Sequence, residues 1–436
     1  MADIRPFHGV HYNPSLIKDM AQVICPPYDI ISTQMQQELH QRSEYNFVRI
    51  EHGYEYPHDS NTENKYTRAA GAFEEWLERK ILVRDATLAL YVNEHAFAYQ
   101  GKTLRRHSIN AIVKLEDWSK MIIRPHEGTL AKAKSDRLNM LWALHANTSP
   151  IMALYDDNKG SIATLIARQT KKKPLLTVNK ADGENHRFWA VTDEDTILKI
   201  HNALADQPLY IADGHHRYES ALNYKRERRS TSATGSKEEP FDFVMMTLIS
   251  MADPGLVILP AHRMVNGLSA KALDDLLERL PAFFKIDEAS IDKIKIQAQV
   301  SSLLEGNEGK TKLVLCGLKK DVFLTLELQN PDAVKQMFPA FHSELYQTLD
   351  VSIVDHVILE ELLGISQEKS SFYLNWVHDA VTAVQKVLNG EYQLGIIVNP
   401  VKPGLITAIA DSGDRMPKKS TYFFPKAPAG LVSYRF

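Results

Sequence analysis

Cysteine is scarce in this chain: there are two in 436 residues, Cys25 and Cys316. Their number and wide separation argue against a disulfide framework or a thiolate metal site, and fit a reducing compartment. No apolar run approaches the roughly 20 residues that a membrane-crossing helix needs. The opening Met1-Ala2-Asp3-Ile4-Arg5-Pro6 lacks the charged-then-apolar pattern of a signal peptide. A formal net charge of -3 offers no basic surplus for nucleic acid. The chain also lacks a Walker-type Gly-Lys-Ser loop, a Gly-x-Gly-x-x-Gly turn, a His-Glu-x-x-His zinc helix and a Gly-x-Ser-x-Gly elbow. These absences predict a cytoplasmic protein with neither a membrane nor a nucleic acid as partner. They leave the oligomeric state open.

What is present suffices for several cores. At 436 residues with 44% hydrophobic content, the chain is too long for a single ordinary domain. Its patterning separates four regions: an N-terminal α+β region over 1–160, a region over 161–265 that carries the main polar motif, an α+β insertion over 266–345, and a C-terminal region over 346–436 that docks back on the site. The expected fold class is α+β, with mixed or antiparallel sheets and helices.

The most informative stretch is Leu209-Tyr210-Ile211-Ala212-Asp213-Gly214-His215-His216-Arg217-Tyr218. It reads as a strand, a glycine turn and the start of a helix. The first N–H groups of a helix lack intrahelical partners, and the dipole favours negative charge there. An aspartate, two histidines and an arginine in such a turn are costly to bury unless paired or facing a ligand. Gly214, Arg217 and Tyr218 are therefore candidate phosphate or ligand contacts, and Asp213, His215 and His216 candidate catalytic groups. A salt-bridged structural turn is the competing reading.

Three other stretches supply companions. Pro26-Pro27-Tyr28-Asp29 ends a short apolar run, and its prolines force extended backbone, leaving Tyr28 and Asp29 at a loop end. Arg124-Pro125-His126-Glu127-Gly128 leads into a basic helix whose Lys134 and Arg137 lie three apart, on neighbouring positions of one face. There His126 reads as a ligand contact and Glu127 as a general base. The tail, Met416 to Lys426, combines aromatics, hydroxyls and lysines, and Lys418, Ser420 and Lys426 suit phosphate neutralisation. A metal site from His126, Glu127, Asp213, His215 and His216 is not diagnosed by spacing. Asn46–Glu51 alternates like a strand, Asn93-Glu94 reads as lying near a connection, Leu256–Val265 as one strand, and 230–239 as a mobile loop.

Pro26-Pro27-Tyr28-Asp29, Asn46-Phe47-Val48-Arg49, His126-Glu127 with Asp136-Arg137, Asp213 to Tyr218, and Met416 to Pro425 with Gly430-Leu431 together resemble the "domain of unknown function 1015" family over the whole chain. The Asp-Gly-His-His-Arg turn, with the strand before it, also resembles the ParB/sulfiredoxin-like superfamily, which includes free serine kinases. That resemblance implies a ParB/sulfiredoxin-like nucleotide-binding core with Asp213–Arg217 as its phosphate turn. With the residues above, it leads to the expectation of a phosphotransferase or phosphohydrolase, a small-molecule kinase or phosphatase, acting on a small hydroxylated metabolite such as serine or phosphoserine. The ligand would be a small phosphorylated molecule, with ATP or ADP and Mg²⁺ as cofactors. A nucleotide- or phosphometabolite-binding regulator without turnover is the alternative.

Overall fold

Capping residues set many of the helix boundaries. Asn64, Asp193, Ser269 and Asp379 each accept a backbone N–H from the first turn of the helix they precede. The computed structural model describes residues 2–129, 131–231, 237–306, 310–366 and 368–436. Residues 232–236 of the expected 230–239 loop lie outside these. The chain divides into two units. One comprises 1–125, 129–257 and 425–436, and the other 126–128 and 258–424. Among the described residues no helix is long and apolar enough to cross a membrane.

The first unit is α+β. A mixed sheet runs in the order Ile123–Arg124, Leu209–Asp213, Ile151–Tyr155, Phe243–Ser250, Lys102–Lys114, Leu90–Tyr99, Asn185–Val191, Leu176–Asn179, with Ile4–Arg5 also paired to Lys102–Lys114. Leu209–Asp213 lies parallel to Ile123–Arg124, and Phe243–Ser250 parallel to Ile151–Tyr155; the remaining pairs are antiparallel. Phe243–Ser250 is buried at every position, as its continuous apolar run predicts. The helix His215–Thr231 follows the Leu209–Asp213 strand and packs on the helix Ala131–Leu144, where Ser220 Oγ donates to the Lys134 carbonyl at 2.9 Å. A second sheet of this unit pairs Gly9–Tyr12 with Leu82–Arg84 and with Ser433–Arg435, which in turn pairs with Ala146–Asn147. A bridge from Ala429 to Cys25 fixes the segment before it. The last residues of the chain are thereby tied into the same unit as the first.

The second unit is built on an antiparallel sheet in the order Phe284–Ser290, Val322–Leu328, Lys312–Cys316, Leu394–Ile397, His262–Val265, Leu374–Val377. Its strands come from both sides of residue 345, so the stretches 266–345 and 346–436 contribute to one sheet. Met264, Val314, Phe323, Val384 and Ile397 are among its buried core.

Three local expectations are corrected. Asn46–Glu51 is not a strand: Val48–Glu51 is a helical turn. Asn46 decides this by accepting from Val48 N at 3.1 Å and donating to the Gln22 carbonyl at 2.7 Å, a local bonding pattern that outweighs the β preference of Phe47, Val48 and Ile50. Asn93 and Glu94 sit inside a continuous strand, Leu90–Tyr99. Cross-strand cations make Glu94 acceptable there, since Arg105 and Arg187 reach its carboxylate at 2.9 and 2.5 Å. Leu256–Val265 is two strands, Val257–Leu259 and His262–Val265, interrupted at Pro260, which has no N–H to donate.

Candidate functional site

The Leu209–Asp213 strand ends in an aspartate that sits against two cations. Arg217 lies four residues on, one turn into the following helix, and its Nη2 reaches Asp213 Oδ2 at 2.6 Å. The Lys426 ammonium, delivered by the returning C-terminal segment, donates to Asp213 Oδ1. The turn needs Gly214: its φ is +94°, and a Cβ would stand 2.9 Å from Arg217 Nε. Arg217 also donates through Nη1 to the Pro150 carbonyl at 2.5 Å, while its buried Nε has no hydrogen-bond partner among the described residues. Burial alone would raise the Asp213 carboxyl, but the Lys426 and Arg217 charges hold it well below the usual carboxylate range. Burial likewise opposes the charge on Lys426 and Arg217, and Asp213 restores it in both.

Asp29 and Tyr28 join this group. Lys426 Nζ lies 3.9 Å from Asp29 Oδ2. The guanidinium of Arg137, on the Ala131–Leu144 helix, lies 3.9 Å above the Tyr28 ring, and burial pushes the Tyr28 phenol up to about 12. Arg137 is itself nearly fully buried, at 5% exposure, so it forms an inner wall. Its Nη2 pairs with Asp136 at 2.5 Å, and Asp136 in turn pairs with Lys65 at 2.6 Å. A cavity of about 30 Å³ is lined by both Arg137 and Arg217, with Thr148 and Ser149. It has room for a water-sized group.

Sequence reasoning missed Glu51. Its carboxylate is wholly buried, accepts from Thr148 Oγ1 and Ser149 Oγ at 2.9 Å each, and faces Arg137 Nη1 at 3.6 Å. Reading 46–51 as a strand hid it. The available signal was the acid itself, within a run that buries almost every neighbour.

His215 is buried and His216 half-buried in the first turn of the His215–Thr231 helix. Tyr218 is fully buried, its hydroxyl donates to the Glu116 carbonyl at 2.8 Å, and its ring lies 4.5 Å from that of Trp118, so it does not join the Asp213 group. Lys134 pairs with Glu219 at 2.9 Å. His126, Glu127, Lys418 and Ser420 belong to the second unit. There His126 Nε2 contacts Thr421 Oγ1 at 3.0 Å, and Glu127 Oε1 accepts from Lys419 N at 3.2 Å. Ser420 donates to the Pro417 carbonyl at 2.6 Å, and Lys418 is exposed.

Among the described residues, one acid–histidine group has its ligand atoms close enough for a metal: His95, Glu184 and His186, within 4.8 Å of one another. Its surroundings do not suit a dication. Arg106 Nη2 lies 3.2 Å from His95 Nδ1 and must donate to it, which puts the imidazole proton on Nε2, facing Glu184 at 2.6 Å. Lys180 occupies the other Glu184 oxygen at 2.6 Å. Each oxygen of Asp213 already accepts from a cation.

Comparison with known proteins now places the chain. The family described as Protein of unknown function (DUF1015) matches residues 4–352, and the chain belongs to that family. No curated protein matches it in sequence. Among solved structures it is similar to a free serine kinase in complex with AMP, at 11% identity and a TM-score of 0.37 over 74% of this chain and 91% of that one. It is also similar to a conserved hypothetical protein from Pyrococcus furiosus, at 12% identity and a TM-score of 0.34 over 74% and 94%. A third is SbnI with a C-terminal truncation from Staphylococcus aureus, at 11% identity and a TM-score of 0.34 over 74% and 85%.

Proposed function

We propose that the Asp213–Arg217 turn holds a phosphate of a nucleotide or phosphometabolite, and that the chain moves a phosphoryl group to or from a small hydroxylated metabolite of the serine kind. The observation that carries this is the convergence of two largely buried cations, Arg217 and Lys426, on the strand end just before a helix N-terminus. Asp213 pairs with both. A phosphate brings the same charge with more acceptor oxygens, including one for the unpartnered Arg217 Nε. Phosphoryl transfer asks chiefly for positioning and charge neutralisation, which two arginines and a lysine supply. The serine-like acceptor rests on the resemblance of the turn to the ParB/sulfiredoxin-like superfamily.

In this reading Gly214 lets the backbone approach the phosphate, and Arg137 stiffens the Tyr28–Asp29 loop. Asp213, displaced from its cations, His215 or His216 would take the proton of the attacking hydroxyl. Glu127 is a candidate base on side-chain chemistry alone. ATP or ADP would be the donor, and Mg²⁺ would shield the phosphate charge. The test is to incubate the pure protein with ATP or ADP plus serine, and separately with phosphoserine, and to follow products by ³¹P NMR. Turnover in either direction is expected, with Arg217→Met lowering kcat/KM by about 10²–10³-fold. No turnover in either direction, with the nucleotide intact, overturns the enzyme reading.

One observation favours a second reading, a regulator that binds without turnover: both oxygens of Asp213 accept from cations, so neither is poised to take a proton. Calorimetry separates the two. Nucleotide binding without turnover supports the regulator, whereas Glu127→Gln binding normally with turnover lost supports catalysis.

A further inference from the structure

The second unit contains a cavity of about 530 Å³, within the size range of small-molecule sites. Leu328, Leu349, Val351 and Leu405 give it apolar walls. Lys310 and Lys402 line it as well and are exposed. Lys402 is also the N-cap of the helix Pro403–Asp411 and supplies no side-chain acceptor to that helix's first turn. Among the described residues Asp350 is the single acid of the lining.

The setting of Asp350 is unusual. Its Oδ2 accepts from Asn399 Nδ2 at 3.3 Å, and the Thr311 hydroxyl also donates to it. The Asn399 backbone N–H donates too, and all three donors are neutral. Among the described residues no lysine, arginine or histidine pairs with this carboxylate. Burial therefore lifts its pKa to about 6, with no cation to bring it back. Buried carboxylates are ordinarily paired or neutralised, because an uncompensated charge is expensive to bury. Here the place of the missing counter-ion opens on a cavity large enough for a ligand that brings one. The exposed lysines and the uncapped helix start favour the opposite sign at another part of the same cavity.

We propose that this cavity binds a small zwitterionic amine, an aliphatic α-amino acid. Its ammonium pairs with Asp350, its carboxylate lies toward Lys402 and the start of the Pro403–Asp411 helix, and its hydrocarbon side chain packs on Leu349, Val351 and Leu405. The ligand completes a charge pair that the chain leaves half made, so binding stabilises the second unit. This site is independent of the phosphate turn of the first unit, and neither assignment depends on the other.

The experiment titrates the full-length protein with leucine and valine at millimolar concentration, by calorimetry and thermal shift. Isopentylamine, which lacks the carboxylate, and isocaproate, which lacks the amine, serve as controls. The amino acids are expected to bind and raise Tm, the amine to bind more weakly, and isocaproate to have no effect. Asp350→Asn keeps the shape of the side chain and removes a buried charge. It should fold, as its circular dichroism will show, and lose at least about tenfold in amino-acid affinity. Failure of both amino acids to bind overturns the proposal, and so does undiminished affinity in folded Asp350→Asn. Isocaproate or isopentylamine binding as tightly as leucine overturns the zwitterion assignment.

Discussion

Two aspartates, one in each unit, are both largely withdrawn from water and have opposite fates. Asp213 carries an arginine on one oxygen and a lysine on the other, and its carboxyl is held far below the ordinary range. Asp350 has only neutral donors, and its carboxyl rises to about 6. The comparison shows that burial by itself does not decide what a carboxylate does. The first is a closed electrostatic latch that an anion must open. The second is an open half of an ion pair that a cation would close. In each case the chemistry of the expected ligand follows from what the protein has, or has not, already supplied.

The largest expected effect comes from breaking the closed pair. Asp213→Asn leaves Arg217 and Lys426 buried without their acid and should cost about 3–5 kcal/mol in urea denaturation. The double variant Asp213→Asn/Lys426→Met should recover part of that loss. A single variant as stable as the wild type would show that the latch carries no energy. The same pair has a definite pH signature. Because the folded pKa of Asp213 is depressed, its contribution is present above about pH 4 and is lost as pH falls toward the folded value.

Asp350 should show the reverse dependence. Its folded pKa is raised from 3.8 to about 6, so the wild type loses stability as pH rises through that interval. Asp350→Asn removes the penalty. The variant should exceed the wild type by up to about 3 kcal/mol at neutral pH, with the difference vanishing near about pH 4. Thermal denaturation across this range measures it, and a difference that stays flat with pH would remove the contrast between the two aspartates.

A smaller effect sharpens the turn itself. Gly214→Ala forces a side chain into positive φ and against Arg217, at an expected cost of about 1–2 kcal/mol. Phosphate or nucleotide affinity should fall with it, because Arg217 must shift. An alanine variant with unchanged stability and affinity would mean that the turn tolerates a Cβ and that its glycine has no part in the site.

Much of this site was legible from local chemistry. A strand, a glycine and a charged helix start are recognisable at 209–217 without a structure, because turn and helix-end preferences act within a few residues. Tyr28, Asp29, Arg137 and Lys426 were each picked out singly by residue type and context. Glu51 was not, because the side-chain bonds of Asn46 turned an apparently alternating segment into a helical turn. Tyr218 was singled out by its place in the motif, yet its hydroxyl went to the Glu116 backbone. Which member of a polar cluster faces a ligand depends on partners that local pattern does not reveal.

The sequence by itself determined the α+β class, the membership of its strongest motif in a strand–turn–helix unit, and the lack of a disulfide or membrane-spanning helix. These follow from composition and short-range periodicity. Tertiary structure alone decided that Lys426, more than two hundred residues away, would cap Asp213, and that Asp350 would be largely withdrawn from water with no cation paired to it among the described residues. The physical reason is the same for both. Charge pairing and desolvation act through space at a few ångströms, and the distances that set them come from how the sheets pair: the Ser433–Arg435 strand against Gly9–Tyr12 in one unit, and Lys312–Cys316 against Leu394–Ile397 in the other.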